Sequence, residues 1–110
     1  MLKDKDSSRW IVTEIKLCRM VLCATQQQIA DALGVSVQTV KRLEKPDADP
    51  RLKTIISLRK LYAALGVKFE LSDEGTMAFK LSTEVTNDIA EGRLAKGTLS
   101  RLNHLTLDSC

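Results

Sequence analysis

At 110 residues the chain has the length of one domain, and a chain of this size buries only about two-thirds of its unfolded surface. Apolar residues make up 44% but aromatic residues only 4%, so the core must come mainly from Leu, Ile, Val and Ala, which favours helices over a sandwich or barrel. The net charge of +3 is uneven: residues 1–24 hold five basic against three acidic side chains, 25–66 seven against four, and 67–110 five against seven, which suggests an anion-binding part followed by one with another task.

Single residue types exclude whole chemistries. His104 is the one histidine, so neither a histidine-based catalytic dyad nor a two-histidine zinc site is available within one subunit. Cys18, Cys23 and Cys110 form neither a disulfide framework nor a zinc pattern and read as small hydrophobes in a reducing compartment. There is no nucleophile–base pair, no glycine-rich phosphate loop and no metal set. No catalytic residue, cofactor or metal is therefore expected, and the chain does not read as an enzyme. No apolar run approaches the ~20 residues of a membrane span. The opening MLKDKDSSRW lacks the apolar stretch of a signal peptide, so no membrane partner is expected and the cytoplasm is the expected compartment.

In chain order, residues 1–6 are polar, and Ser7 or Ser8 can cap a first helix over 8–22. Its stripe is Ile11, Ile15, Cys18 and Leu22, widened by Trp10, Leu17 and Val21. Thr25 is the next cap, with Gln28 three residues on as a capping box predicts. Ile29, Ala30 and Leu33 give that helix its apolar face, and Gly34 ends it. Ser36 caps a short second helix running through Val37, Val40 and Leu43 to about Lys45.

KPDADP is a loop, from which Asp49 and Pro50 start a helix over 50–65 with Leu52, Ile55, Ile56, Leu58 and Tyr62 at helical spacing. The period then changes to two. Val67, Phe69 and Leu71 alternate with polar residues, SDEG makes a turn, and Met77, Phe79 and Leu81 alternate again, which predicts a β-hairpin. Ser82 or Thr83 can cap a helix over 84–91 ended by Gly92. Leu94, Leu99, Leu102 and Leu105 show no clean period, and no element is assigned to the last dozen residues.

The informative stretch is TQQQIADALGVSVQTVKRLEK. Ala30 lets a second helix cross the first closely, and Val35, Val40 and Leu43 can lock the pair. The outward residues of the second helix are Val37, Gln38, Thr39, Lys41 and Arg42, with no acid until Glu44. A helix of this kind can enter a DNA major groove, where Arg reads guanine and Gln reads adenine.

This stretch resembles the helix-turn-helix of lambda-repressor-like, or XRE-type, regulators. Their pattern T-Q-x-x-L-A-x-x-L-G-V-S-x-x-T-V-x-x-x-E is met by Thr25, Gln26, Ala30, Leu33, Gly34, Val35, Ser36, Thr39, Val40 and Glu44, with Ile29 in place of Leu. The resemblance covers residues 11–67 and implies a mainly α fold, a lambda-repressor-like helical bundle, here followed by a short β-hairpin. The chain departs from the pattern at Cys23, where a glycine is usual, at Lys45-Pro46 after the glutamate, and at VKFEL, which replaces a final short helix. The strand resembles the antitoxin branch of the family.

By resemblance, Gln26 contacts a phosphate and supports the recognition helix. Val37, Gln38 and Arg42 meet base edges, Ser36, Thr39, Lys41 and Lys45 are candidates for phosphate, and Arg19 pairs with Glu44. Each has a plainer alternative: Gln26 and Gln28 as caps, Lys41 and Arg42 as solvated charges, Val37 as core. Met77 and Phe79 read as hairpin core or dimer seam, and Lys68, Lys80, Lys96 and His104 as surface. The expected organisation is a DNA-binding domain over 1–66 and a hairpin and tail over 67–110 for dimerisation or a partner. The expected function is a homodimeric repressor on double-stranded DNA, or alternatively an antitoxin that binds a toxin.

Overall fold

One cluster of buried apolar side chains draws on every helix and on the first strand. The computed structural model describes residues 4–108, with side chains described from residue 9 to 105. In chain order the elements are α1 (Asp4–Val21), α2 (Gln26–Leu33), α3 (Val37–Leu43), α4 (Leu52–Ala64), β1 (Val67–Leu71), β2 (Met77–Leu81), α5 (Thr83–Ala90) and α6 (Leu94–Asp108). Ile15, Cys18 and Leu22 of the α1 stripe meet Ile29 and Ala30 of α2, Val40 and Leu43 of α3, and Leu58 and Tyr62 of α4. Val67, Val85 and Leu102 extend the same cluster into the hairpin, α5 and α6. The fold is mainly α with a two-stranded antiparallel hairpin, as expected.

The first helix starts earlier than the serines suggest. It begins at Asp4, so Ser7 and Ser8 lie within it and not before it. Its end is capped by the backbone: Cys23 takes a left-handed conformation (φ 56°), its N–H bonds the Met20 carbonyl, and the Ala24 N–H bonds the Arg19 carbonyl. This is the Schellman arrangement, with cysteine in the place glycine usually holds. Cys18 is buried as expected, whereas Cys23 is exposed; Cys110 lies outside the described residues.

The fourth helix starts later than expected. Arg51 keeps extended backbone (φ −69°, ψ 147°) and makes no side-chain cap, so Asp49 and Pro50 stay in the loop. Leu52 and Ile56 are 70% and 44% exposed, so the buried stripe is the narrower set Ile55, Leu58 and Tyr62.

Pairing in the hairpin joins Val67 to Leu81, Phe69 to Phe79 and Leu71 to Met77, so all six alternating apolar residues share one face. The two phenylalanine rings meet edge to face, with centroids 5.5 Å apart. Val67 anchors that face in the core, while Leu71 and Leu81 remain exposed. Gly66 has φ +103°, and a Cβ there would lie 2.5 Å from Ser82 Oγ and 2.6 Å from Val85 Cγ2. The hairpin therefore closes on its own root, where the Ser82 N–H bonds the Gly66 carbonyl and the Ser82 hydroxyl caps α5.

The last helix is the main departure from expectation. Leu94, Thr98, Leu102 and Leu105 form its inward stripe, and Leu99 is 44% exposed. The period was hidden because a threonine holds a core position and a leucine faces outward. Gly97, a poor helix former, is needed because its position presses on Asp88: a Cβ there would lie within bonding range of the carboxylate.

Three buried acids are each held by arginine. Glu14 takes both Nε and Nη2 of Arg59, Glu44 is held by Arg19, and Asp88 is held by Arg93 and Arg101. These pairs tie α1 to α4, α1 to the end of α3, and α5 to α6. Among the described residues no helix is long and apolar enough to cross a membrane, and no group of three or more His, Cys, Asp or Glu is placed to hold a metal ion.

Candidate nucleic-acid interface

Local chemistry sets the two motif helices before packing does. The Thr25 hydroxyl accepts the Gln28 N–H at 3.0 Å, and the Gln28 side-chain oxygen accepts the Thr25 N–H at 2.9 Å, which completes the capping box. Gly34 ends α2 with φ 73°, and its N–H bonds the Asp31 carbonyl while that of Val35 bonds Ala30. Ser36 then caps α3 by accepting the Thr39 N–H, and the two hydroxyls of Ser36 and Thr39 lie 3.0 Å apart. Two short helices are thus set at a fixed angle by three turn residues. Ala30, with no exposed surface, sits at the contact, and Val40 and Leu43 face inward. Val35 is 39% exposed and contributes less to that contact than its type suggests.

The outward edge of α3 carries Gln38, Lys41 and Arg42, all exposed, with Lys45 exposed just beyond the helix end. None of the three cations enters an ion pair among the described residues. Val37 is half-buried against the core, between the two readings its position allowed, and Thr39 is likewise half-buried. Ser36 is exposed, although its hydroxyl is already engaged with Thr39. Gln26 is half-buried, with its amide Nε2 donating to Glu44 Oε1 at 3.2 Å.

Glu44 is the hub that orients this edge. Arg19 reaches it through Nε at 2.7 Å and Nη2 at 2.8 Å, and Arg19 Nη1 donates to the Ala24 carbonyl at 3.0 Å. The carboxylate thus receives three donors while only 4% of its side chain is exposed. The hydrogen bonds that Arg19 donates to Glu44 raise the already high pKa of its guanidinium, so the charge is permanent. One carboxylate joins the end of α1, the start of α2 and the end of α3, which restrains the outward side chains without spending any of them.

A groove of about 650 Å³ runs beside α3, lined by Thr39, Arg42, Lys45, Pro50, Arg51 and Thr54. Asp47 and Asp49 of the loop line it too. Arg51 was not singled out in the sequence, where it falls in the first turn of the helix expected over 50–65; the extended backbone before α4 brings it alongside Arg42 and Lys45. The arrangement offers a narrow rigid edge with one amide and several free cations, which suits a polyanion with readable hydrogen-bonding edges.

Residues 25–70 match a protein-family model described as "Helix-turn-helix". No curated protein and no solved structure gives a significant match to the chain.

Proposed function

With a helix-turn-helix domain of the XRE-type regulators over residues 25–70, we propose that the chain is a repressor that binds a palindromic operator as a homodimer. The domain is that of DNA-binding transcriptional regulators. The observation that carries the reading is the outward edge of α3, where Gln38, Lys41 and Arg42 are exposed and the cations enter no ion pair among the described residues, while Val40 and Leu43 lock the other side into the core. Gln38, Arg42 and the exposed part of Val37 meet base edges. Ser36, Thr39, Lys41 and Lys45 contact phosphate, joined by Arg51. Gln26 supports the helix through Glu44 and reaches phosphate with what remains of its amide.

A lone α3 makes few base contacts, and a second copy on a two-fold site supplies the rest. Two recognition helices then stand about 34 Å apart, one turn of DNA. The hairpin is the proposed seam. A two-stranded hairpin is marginal alone, and Leu71 and Leu81 leave its apolar face partly open. Selection of sites from random DNA, followed by footprinting, should return a two-fold symmetric sequence protected over two successive major grooves. A protein that is monomeric both free and on DNA by sedimentation overturns the dimer.

The acidic balance of residues 67–110 and the exposed Ile89 and Leu99 favour a second reading, an antitoxin whose C-terminal third covers a toxin. It predicts a neighbouring reading frame whose small, growth-inhibiting product co-purifies with this chain. Without such a product the reading fails.

A further inference from the structure

Away from the α2–α3 surface, a cavity of about 350 Å³ opens where α1, α4 and β1 meet. Its size is at the low end of small-molecule sites. The walls are apolar, made by Cys18, Ile56, Tyr62, Ala63, Val67 and Phe69.

Charge sets it apart from a packing fault. Glu14 lines the cavity, but its carboxylate is fully engaged by Arg59 at 2.7 and 2.8 Å. Lys60 and Lys68 line the same cavity, are exposed, and enter no ion pair among the described residues. The cavity therefore presents two uncompensated positive charges beside an apolar interior.

We propose that this cavity binds a small apolar carboxylate, its hydrocarbon part against Cys18, Val67 and Phe69 and its carboxylate at Lys60 and Lys68. A neutral molecule of the same shape leaves the lysines unanswered, and a cationic one meets two like charges. The inference concerns the protein alone and does not depend on its binding DNA.

Three probes with one ring and one arm but different charge test it: phenylacetate, phenylacetamide and phenethylamine. They are titrated into the full chain at low salt and followed by calorimetry and amide chemical shifts. Phenylacetate should saturate and move the amides of Ala63, Val67 and Lys68, the neutral amide should bind about tenfold more weakly, and the amine should not bind. Reversing both exposed lysines, Lys60→Glu with Lys68→Glu, should abolish the preference for the acid with the melting temperature unchanged. Ala63→Phe should fill the space and remove binding of all three. Equal binding of the three probes overturns the proposal, as does no binding at millimolar concentration. Amide shifts at the cavity that follow protein concentration instead of ligand also overturn it, since a second copy of the chain would then be the occupant.

Discussion

The hydroxyl of Thr98 donates a 2.7 Å hydrogen bond to the carbonyl of Leu22, 76 residues earlier in the chain. Both residues are buried, at 1% and 0% exposure. The last carbonyls of a helix have no partner within it, and the end of α1 would otherwise bury one unsatisfied. The C-terminal helix supplies the missing donor, and so holds the corner from which α2 departs. Thr98→Val keeps the shape and removes the donor. It should cost ~1–3 kcal/mol, read as a lower urea midpoint with unchanged slope. A midpoint equal to the parent's would mean that the bond contributes nothing.

Arg19 and Glu44 should be worth most when broken singly. Their side chains are 17% and 4% exposed, so removal of either partner strands a buried charge. Arg19→Met should cost ~3–5 kcal/mol, and Glu44→Leu in the same chain should recover part of that loss. Thermal unfolding of the two single variants and the double variant measures it. Additive losses would show that the pair acts independently.

Asp88 should make stability depend on acid. The hydrogen bond from Arg101 at 2.9 Å, then that from Arg93 at 3.1 Å, hold its pKa below the usual carboxylate value. An unfolded aspartate titrates near ~3.9, so the folded state binds this proton less readily than the unfolded one. The contribution is therefore complete above that value and is lost as pH falls through the lower folded pKa. The stability gap between the parent and Asp88→Asn should be constant near neutrality and close below about pH 4. A gap of the same size throughout the titration refutes the assignment.

Cys23 has a left-handed backbone that glycine adopts without penalty. The conformation costs other residues about 1–2 kcal/mol, offset in part by the greater freedom of glycine when unfolded. Cys23→Gly should therefore stabilise the protein by about 0.5–1 kcal/mol. A lower melting temperature would show that the cysteine makes a compensating contact.

Arg42 and Lys45 should separate specificity from affinity. Base edges differ between sequences and phosphates do not. Arg42→Ala should cost ~1–3 kcal/mol on the selected site and relax the choice of base at one or two pairs. Lys45→Ala should weaken all sites alike and reduce the salt slope by about one per lost contact. Equal loss on selected and random DNA for Arg42→Ala, or an unchanged selected sequence for Val37→Ala and Gln38→Ala, would mean that α3 is not the reader.

Much of this architecture could be read from local pattern. The capping box at Thr25, the glycine turn at Gly34, the serine cap at Ser36 and the period-two hairpin each depend on neighbours within a few residues. The Arg19–Glu44 pair was legible only through the resemblance, because nothing within the chain's local pattern joins residues 25 apart. Glu14 and Asp88 were not legible at all. A charged residue in sequence reads as solvent-facing, and each becomes a buried anchor only because an arginine 45, 5 or 13 residues away arrives beside it.

Sequence alone, then, determined the helix caps, the turn between α2 and α3, the residues on the outward edge of α3 and the change of period at Val67, since all rest on short-range backbone chemistry and side-chain spacing. The tertiary structure decided what depends on distant chain segments meeting. Thr98 became a core residue because the Leu22 carbonyl needed a donor, and Gly97 fits α6 because Asp88 presses against it. Arg51 joined the groove of Arg42 and Lys45 because the chain stays extended past Pro50. A threonine, a glycine and an arginine carry no such meaning in their own neighbourhoods; packing assigned it to them.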